Sequence, residues 1–138
     1  MRNVRAREVT FSKLPGVLKT RVGYTGGIAP RPTYQTVCNG DGHTEAMRVW
    51  FDPQVTSYES LLQVFFREHN PCVRSYKPQY KSAVYYHDEE QRQVITSMIT
   101  DLETTYGKKI ATTVDPVSVW TDAEEYHQQY VAKKRGGW

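Results

Sequence analysis

Cysteine is scarce in this chain: Cys38 and Cys72 are the only two, and no C-x-x-C pair occurs. With no secretory signal either, a disulfide framework is not expected, and a reducing compartment, cytoplasmic or organellar, is. Read alone, each cysteine is a small buried hydrophobe. Long apolar runs are also absent. No stretch reaches the roughly 18 apolar residues that a spanning helix requires, so no membrane segment is expected. The net charge of +3 is small and scattered. Zinc-ligand spacing, ribonucleoprotein aromatics and a basic-leucine pattern are missing, which argues against nucleic acid and metal. Repeats, low-complexity tracts and linkers are missing too, so residues 1–138 read as a single domain.

Aromatic residues are abundant: ten Tyr, four Phe and three Trp. Tyr buries a ring while keeping a hydroxyl to donate, which suits concave polar sites as well as cores. The hydrophobic share of 38% and charged share of 24% are those of an ordinary globular domain. Up to Lys19 the chain carries Arg2, Arg5, Arg7 and Lys13 against the single acid Glu8, a composition also found in organelle transit peptides. Pro15-Gly16 interrupts that pattern, and a solvated helix face is the simpler reading.

Residues 4–14 read as a short helix ended by Pro15-Gly16, and "VLKTRVGY" as a strand. "TGGIAPRPTY" reads as a loop by its Gly and Pro content. "EAMRVWFD" alternates, with Met47, Val49 and Phe51 on one face, which is strand spacing. Thr56 and Glu59 form a capping box for a helix carrying Tyr58, Leu61, Leu62, Phe65 and Phe66. "QYKSAVYYH" reads as a strand. Asp88 caps an amphipathic helix with Gly107 as its stop. "KIATTVDP" and "VSVW" read as short strands, and Asp122 with Glu125 caps a last helix through about Val131. This order predicts an α+β fold, a mixed sheet with helices packed on it.

The densest chemistry lies in "PTYQTVCNGDGHTEAMRVWFD". Gly26 and Gly27 allow close backbone approach, and Tyr34 offers a hydroxyl. Glu45 opens a strand of mostly apolar residues, where desolvation would raise its pKa and keep it an acid. A solvent-facing Glu at a strand end is the plain alternative.

The stretch "LPGVLKTRVGYTGGIAPRPTYQTVCNGDGHTEAMRVWFDP" resembles the signature region of methionine sulfoxide reductase A. So do "SYESLLQVFFREHNP", "QYKSAVYYHDEEQ" and "AEEYHQQYVAK", in the same order, from about Glu8 to Lys133. The resemblance implies a ferredoxin-like core and thiol-dependent reduction of methionine-S-sulfoxide, free or in peptides, as oxidative protein repair. It implies no bound cofactor and an external reductant of the thioredoxin type. Tyr34 and Tyr80 match two tyrosines that hydrogen-bond the sulfoxide oxygen, and Glu45 matches the acid that protonates it. Gly26, Gly27 and His43 fall in the substrate loop, with His43 read as loop structure. Cys38 matches a cysteine that is not the family nucleophile. Trp120 and Tyr126 read as core and helix-packing residues.

The nucleophile does not match. In the family it lies in a Gly-Cys-Phe-Trp stretch at a helix N-terminus, where dipole and backbone N–H groups favour the thiolate. Counting back from "LPGV", that position reads Asn3, with Val4 and Arg5 where Phe and Trp belong. The strand leading into it is lacking as well, and its absence would leave an unpaired ladder and an apolar groove. The segment before Tyr80, "CVRSYKP", is shorter than in many members, and the chain ends "KKRGGW" without a cysteine tail. Three readings follow: a start that lies upstream, a catalytically silent member whose groove a protein partner covers, or a displaced thiol at Cys72 or Cys38.

Overall fold

The computed structural model describes residues 1–135; the end of the KKRGGW tail lies outside the described residues. Helix α1 spans Arg2–Ser12 and buries Val4, Glu8 and Phe11. Those positions are four and three apart, so one helical face meets the sheet. Strand β1 (Val17–Thr25) runs antiparallel to β2 (Thr44–Phe51), in a register that sets Tyr24 opposite Glu45. A two-residue strand, β5 (Thr121–Asp122), pairs with the other edge of β1 at Gly23 and Tyr24. The resulting sheet has the order β2-β1-β5. Gly23 is required there: a Cβ would stand 2.5 Å from the Trp120 ring and 2.4 Å from the Thr121 carbonyl.

A second, two-stranded sheet pairs β3 (Ala83–Tyr86) in parallel with β4 (Thr113–Pro116). Parallel neighbours need a crossover, and α4 (Glu89–Tyr106) supplies it. The Asp88 carboxylate accepts the Gln91 N–H at 2.8 Å at its start, and Gly107 closes it in the left-handed region at φ 64°. Helix α3 (Tyr58–Arg67) packs Leu62 and Phe66 against Val84 and Ile95. On its other side, Leu61 and Val64 meet Phe11 and the inner residues of β1 and β2. None of the described helices is long and apolar enough to cross a membrane.

The α+β class stands as the sequence predicts, with local differences. The α3 cap is Ser57, which accepts the Ser60 N–H at 3.1 Å, rather than a Thr56–Glu59 box. The "PTY" loop turns into a helix, α2 (Tyr34–Cys38), because Thr33 and Thr36 exchange side-chain and backbone hydrogen bonds. Pro78 starts a 3₁₀ turn through Tyr80, so the "QYKSAVYYH" strand shortens to β3. "VSVW" is not a strand: Val117 and Val119 face solvent, and pairing begins only at Thr121. Asp122 caps no helix. Its carboxylate accepts from Trp120 Nε1 (2.6 Å) and Arg21 Nη2 (2.9 Å), and a 3₁₀ turn Glu125–His127 precedes α5 (Tyr130–Arg135). Tyr126 is 58% exposed and does not pack a helix.

The segment after β5 is tied inward by polar side chains. Gln128, buried, accepts the Val22 N–H (2.9 Å) and donates to the Val22 and Ala123 carbonyls (2.8 and 2.9 Å). It thereby satisfies a stretch of β1 that β5 is too short to pair. The Glu8 carboxylate, also buried, accepts from Thr20, from the Gln129 amide and from the Gln129 side chain.

Two outcomes follow for stability. Ile95 is fully buried, and Ile95→Ala should cost about 2–5 kcal/mol by urea denaturation. His127 is 1% exposed, and burial, then the Arg5 charge, holds its pKa below 6.5. The unfolded chain therefore binds a proton near pH 6.5 that the folded chain refuses. Stability should be full above that pH and fall as pH drops below it, with the slope reduced in His127→Gln.

Candidate active site

Three elements converge at the open end of the β1–β2 ladder. Helix α2 is one turn long, so Tyr34 and Cys38 lie four residues apart on one face. The Tyr34 phenol lies close enough to the Cys38 thiol for the thiol to raise its pKa. Glu45, second residue of β2, presents a carboxylate that is only 3% exposed. The 3₁₀ turn brings Gln79 and Tyr80 to the same place. Gln79, 3% exposed, donates through Nε2 to Glu45 Oε2 at 2.7 Å and to Cys38 Sγ at 3.2 Å. The Met1 amino nitrogen lies 2.9 Å from Glu45 Oε2 and 2.8 Å from Oε1.

The electrostatics keep both phenols protonated. The pKa of Tyr34 is pushed up to about 12 by the neighbouring Cys38 thiol, by burial, and by the charges of Cys38, Glu45 and Tyr80. That of Tyr80 is raised by burial and then by Glu45 and Cys38. Each hydroxyl therefore remains a donor at any physiological pH. Tyr80 is 44% exposed and forms the solvent side of the site.

Tyr34 is held from behind. Its amide donates to Glu124 Oε2 at 3.0 Å, while the buried Tyr24 hydroxyl donates to Oε1 at 2.7 Å. Burial opposes the charge on Glu124, but these donors outweigh it and its pKa lies below the ordinary carboxylate value. The Tyr34 ring packs on His127, centroids 4.7 Å apart.

Not every residue singled out from the sequence joins this cluster. Asn3 is exposed on α1, whereas its neighbour Val4 enters the core. Cys72 sits in the loop after α3, its amide bonded to Asn70 at 3.0 Å, and no hydrogen bond links it to Tyr34, Glu45 or Tyr80 among the described residues. His43 is buried beside the loop. A Cβ on Gly27 would stand 2.3 Å from its ring, and one on Gly26, at φ 85°, 2.7 Å from the Tyr85 hydroxyl. Both glycines thus let the loop lie flat against side chains rather than present groups of their own. No group of three His, Cys, Asp or Glu side chains is placed to hold a metal ion among the described residues. Gln79 and Glu124 were not singled out from the sequence. Nothing in their immediate neighbours marks them, because both act through partners 34 and 90 residues away.

A profile described as "Peptide methionine sulfoxide reductase" matches residues 6–138. The chain is 43% identical to peptide methionine sulfoxide reductase MsrA of Methanosarcina acetivorans, with 92% of this chain and 72% of that protein covered. It is 39% identical to chloroplastic peptide methionine sulfoxide reductase A4 of Arabidopsis thaliana, with 91% of this chain covered but only 51% of that one. Among solved structures, methionine sulfoxide reductase A of Corynebacterium diphtheriae superposes with a TM-score of 0.83 at 29% identity, over 97% of this chain and 72% of that one. Mxr1 from Saccharomyces cerevisiae in complex with Trx2 gives 0.59 at 25% identity, over 83% of this chain and 67% of that one.

Removing the Glu124 carboxylate should release Tyr34 and strand the buried Tyr24 hydroxyl. Glu124→Ala is expected to cost about 2–4 kcal/mol in urea denaturation, and Glu124→Gln, which keeps one acceptor, distinctly less.

Proposed function

Because the chain belongs to the peptide methionine sulfoxide reductase family, we propose that Tyr34, Tyr80 and Glu45 bind the oxygen of methionine-S-sulfoxide, free or in peptides, and supply its proton. The observation that carries this reading is that two protonated phenols, Tyr34 and Tyr80, lie close enough to the buried Glu45 carboxyl group to feel its charge. The S–O bond places negative charge on oxygen. Donors fixed where that charge grows stabilise the transition state rather than the free substrate. Glu45 is the acid in this reading: its carboxylate, paired with the Met1 amino group at 2.8 Å, takes up a proton before it delivers one, and Gln79 orients it.

Reduction also needs a thiolate to attack the sulfur. Asn3, at the nucleophile position by register, carries none. Cys38 is the thiol that the cluster itself contains. In the reaction proposed, the Cys38 thiolate bonds to the sulfoxide sulfur as the oxygen is protonated. The oxygen then passes to Cys38, leaving methionine and a cysteine sulfenic acid. Two equivalents of an external thiol return Cys38 to the thiol and release water and a disulfide. A thioredoxin-type protein fits the role of donor, as the Trx2 complex of the yeast relative supports.

A second reading, a catalytically silent member that serves as an interaction subunit, is favoured by the solvent-facing Asn3, which offers no nucleophile. One experiment separates the two. Dithiothreitol-driven reduction of a methionine-S-sulfoxide peptide is measured for the wild-type chain, Cys38→Ser and Cys72→Ser, with dimedone trapping of sulfenic acid. Turnover should vanish in Cys38→Ser and persist in Cys72→Ser, with the dimedone adduct on Cys38. Glu45→Gln should lower kcat/KM by about 100-fold or more. No turnover in any version would defeat the Cys38 reading and leave a silent member or a start that lies upstream.

A further inference from the structure

The two segments that deliver the polar groups of the site are charged in one sense only. Residues 70–82, which carry Gln79 and Tyr80, contain Arg74, Lys77 and Lys81 and no acid. Residues 26–40, which carry Tyr34 and Cys38, contain Arg31 and no acid. Both segments abut the start of β2: Gly27 lies against the His43 ring, and the Pro78 carbonyl accepts the Thr44 hydroxyl at 2.8 Å. The cations of the first segment are set close to the exposed phenol. Lys77 opens the 3₁₀ turn, its carbonyl accepting the Tyr80 N–H at 3.1 Å, and Lys81 follows Tyr80 directly. Arg74 precedes a bend in which the Lys77 amide donates to the Ser75 hydroxyl at 3.3 Å.

The acids around the site already have donors, whereas these cations have no acid. Asp41 accepts from the Thr36 hydroxyl and the His43 amide. Glu124 accepts from the Tyr24 hydroxyl and the Tyr34 amide, and Glu45 from Gln79. No ion pair involves Arg31, Arg74, Lys77 or Lys81 among the described residues. Apolar side chains stand among the cations: Val73 precedes Arg74, Tyr76 precedes Lys77, and both face solvent. A solvent-facing tyrosine between cations is surface of the kind that anchors polypeptides, and it extends past what one methionine side chain can cover.

We propose that this cationic rim selects the substrate: methionine-S-sulfoxide within an acidic stretch of a polypeptide, its flanking carboxylates meeting Arg74, Lys77 and Lys81 and its backbone crossing Tyr76. The inference rests on the proposed sulfoxide site for its position. An extended chain advances about 3.3 Å per residue, so the three residues on either side of a sulfoxide held at Tyr80 cover roughly 10 Å each way. Lys77 at the start of the turn and Lys81 beside the phenol lie within that span. Lysine ammonium groups on flexible stems follow carboxylates placed at several positions, so the rim reads charge rather than an exact sequence. Free methionine sulfoxide brings one carboxylate and one ammonium group, which cancel, and gains little from such a rim.

The test uses the full chain carrying Cys38→Ser, so that bound sulfoxide is not consumed, and dye-labelled peptides read by fluorescence anisotropy. Methionine-S-sulfoxide is flanked on each side by Glu-Glu in one peptide and by Lys-Lys in another, and a second pair carries methionine in the same frames. The Glu-flanked sulfoxide peptide should bind about 10-fold or more tightly than the Lys-flanked one, as several surface pairs acting together provide. That gap should collapse in about 1 M NaCl, where the screening length is about 3 Å. Arg74→Glu combined with Lys77→Glu, both at exposed positions, should reverse the order. Equal affinity for Glu and Lys flanks, a preference unchanged by the double substitution, or no saturable binding of any peptide would overturn the inference. The methionine pair keeps the two readings apart. A charge preference without preference for sulfoxide over methionine faults the sulfoxide site and keeps the rim, and the converse faults the rim alone.

Discussion

Side chains of Glu124, Gln128 and Gln129 supply hydrogen bonds that the short strands do not provide, and β1, α1 and α2 depend on them. Gln128 completes the hydrogen bonding of Val22 in β1 where β5 ends. Glu8, from α1, receives the Gln129 amide and side chain and the Thr20 hydroxyl. Glu124 holds Tyr24 and the start of α2 together. An unpaired buried polar group costs about 1–3 kcal/mol, so each of these bonds matters more for what its loss would expose than for its net strength. Gln129 adopts φ 51° to make its contacts, a conformation that a side-chain-bearing residue holds only when its surroundings impose it.

The site inherits its geometry from that frame. Tyr34 is placed by a one-turn helix too short to be stable alone, and its anchor is the Glu124 carboxylate rather than helix propensity. Glu45 is placed by the β1–β2 register opposite Tyr24, which bonds the same Glu124. Glu45 and Tyr34 are thus referenced to one carboxylate from two directions. Gln79 then joins the acid to the Cys38 sulfur with a single amide group.

Much of this was legible in the sequence where the signal is local. The Asp88 cap, the Gly107 stop and the alternation of β2 each state a physical preference within a few residues, and the structure follows them. The resemblance carried Tyr34, Tyr80 and Glu45, which the fold brings together. Most of what escaped was non-local. α2 hides behind Pro30, Pro32 and two glycines, and only the reciprocal Thr33–Thr36 pair reveals it. The capping reading of Asp122 ignored Arg21 and Trp120, which take its carboxylate for β5. Gln79, Glu124 and Gln128 are polar residues whose meaning depends on partners elsewhere in the chain.

The long reach of these contacts also sets an order of assembly during protein synthesis. Glu124 is made 90 residues after Tyr34, Gln128 follows Val22 by 106, and Gln129 follows Glu8 by 121. While the ribosome is still producing the middle of the chain, β1, α1 and α2 exist without the side chains that complete them. Until then the nascent polypeptide lacks the carboxylate that holds Tyr34 and Tyr24. Only when residues 124–129 emerge can β1, α1 and α2 gain these bonds, whereas the core that α3 and α4 build with β3 and β4 needs none of them.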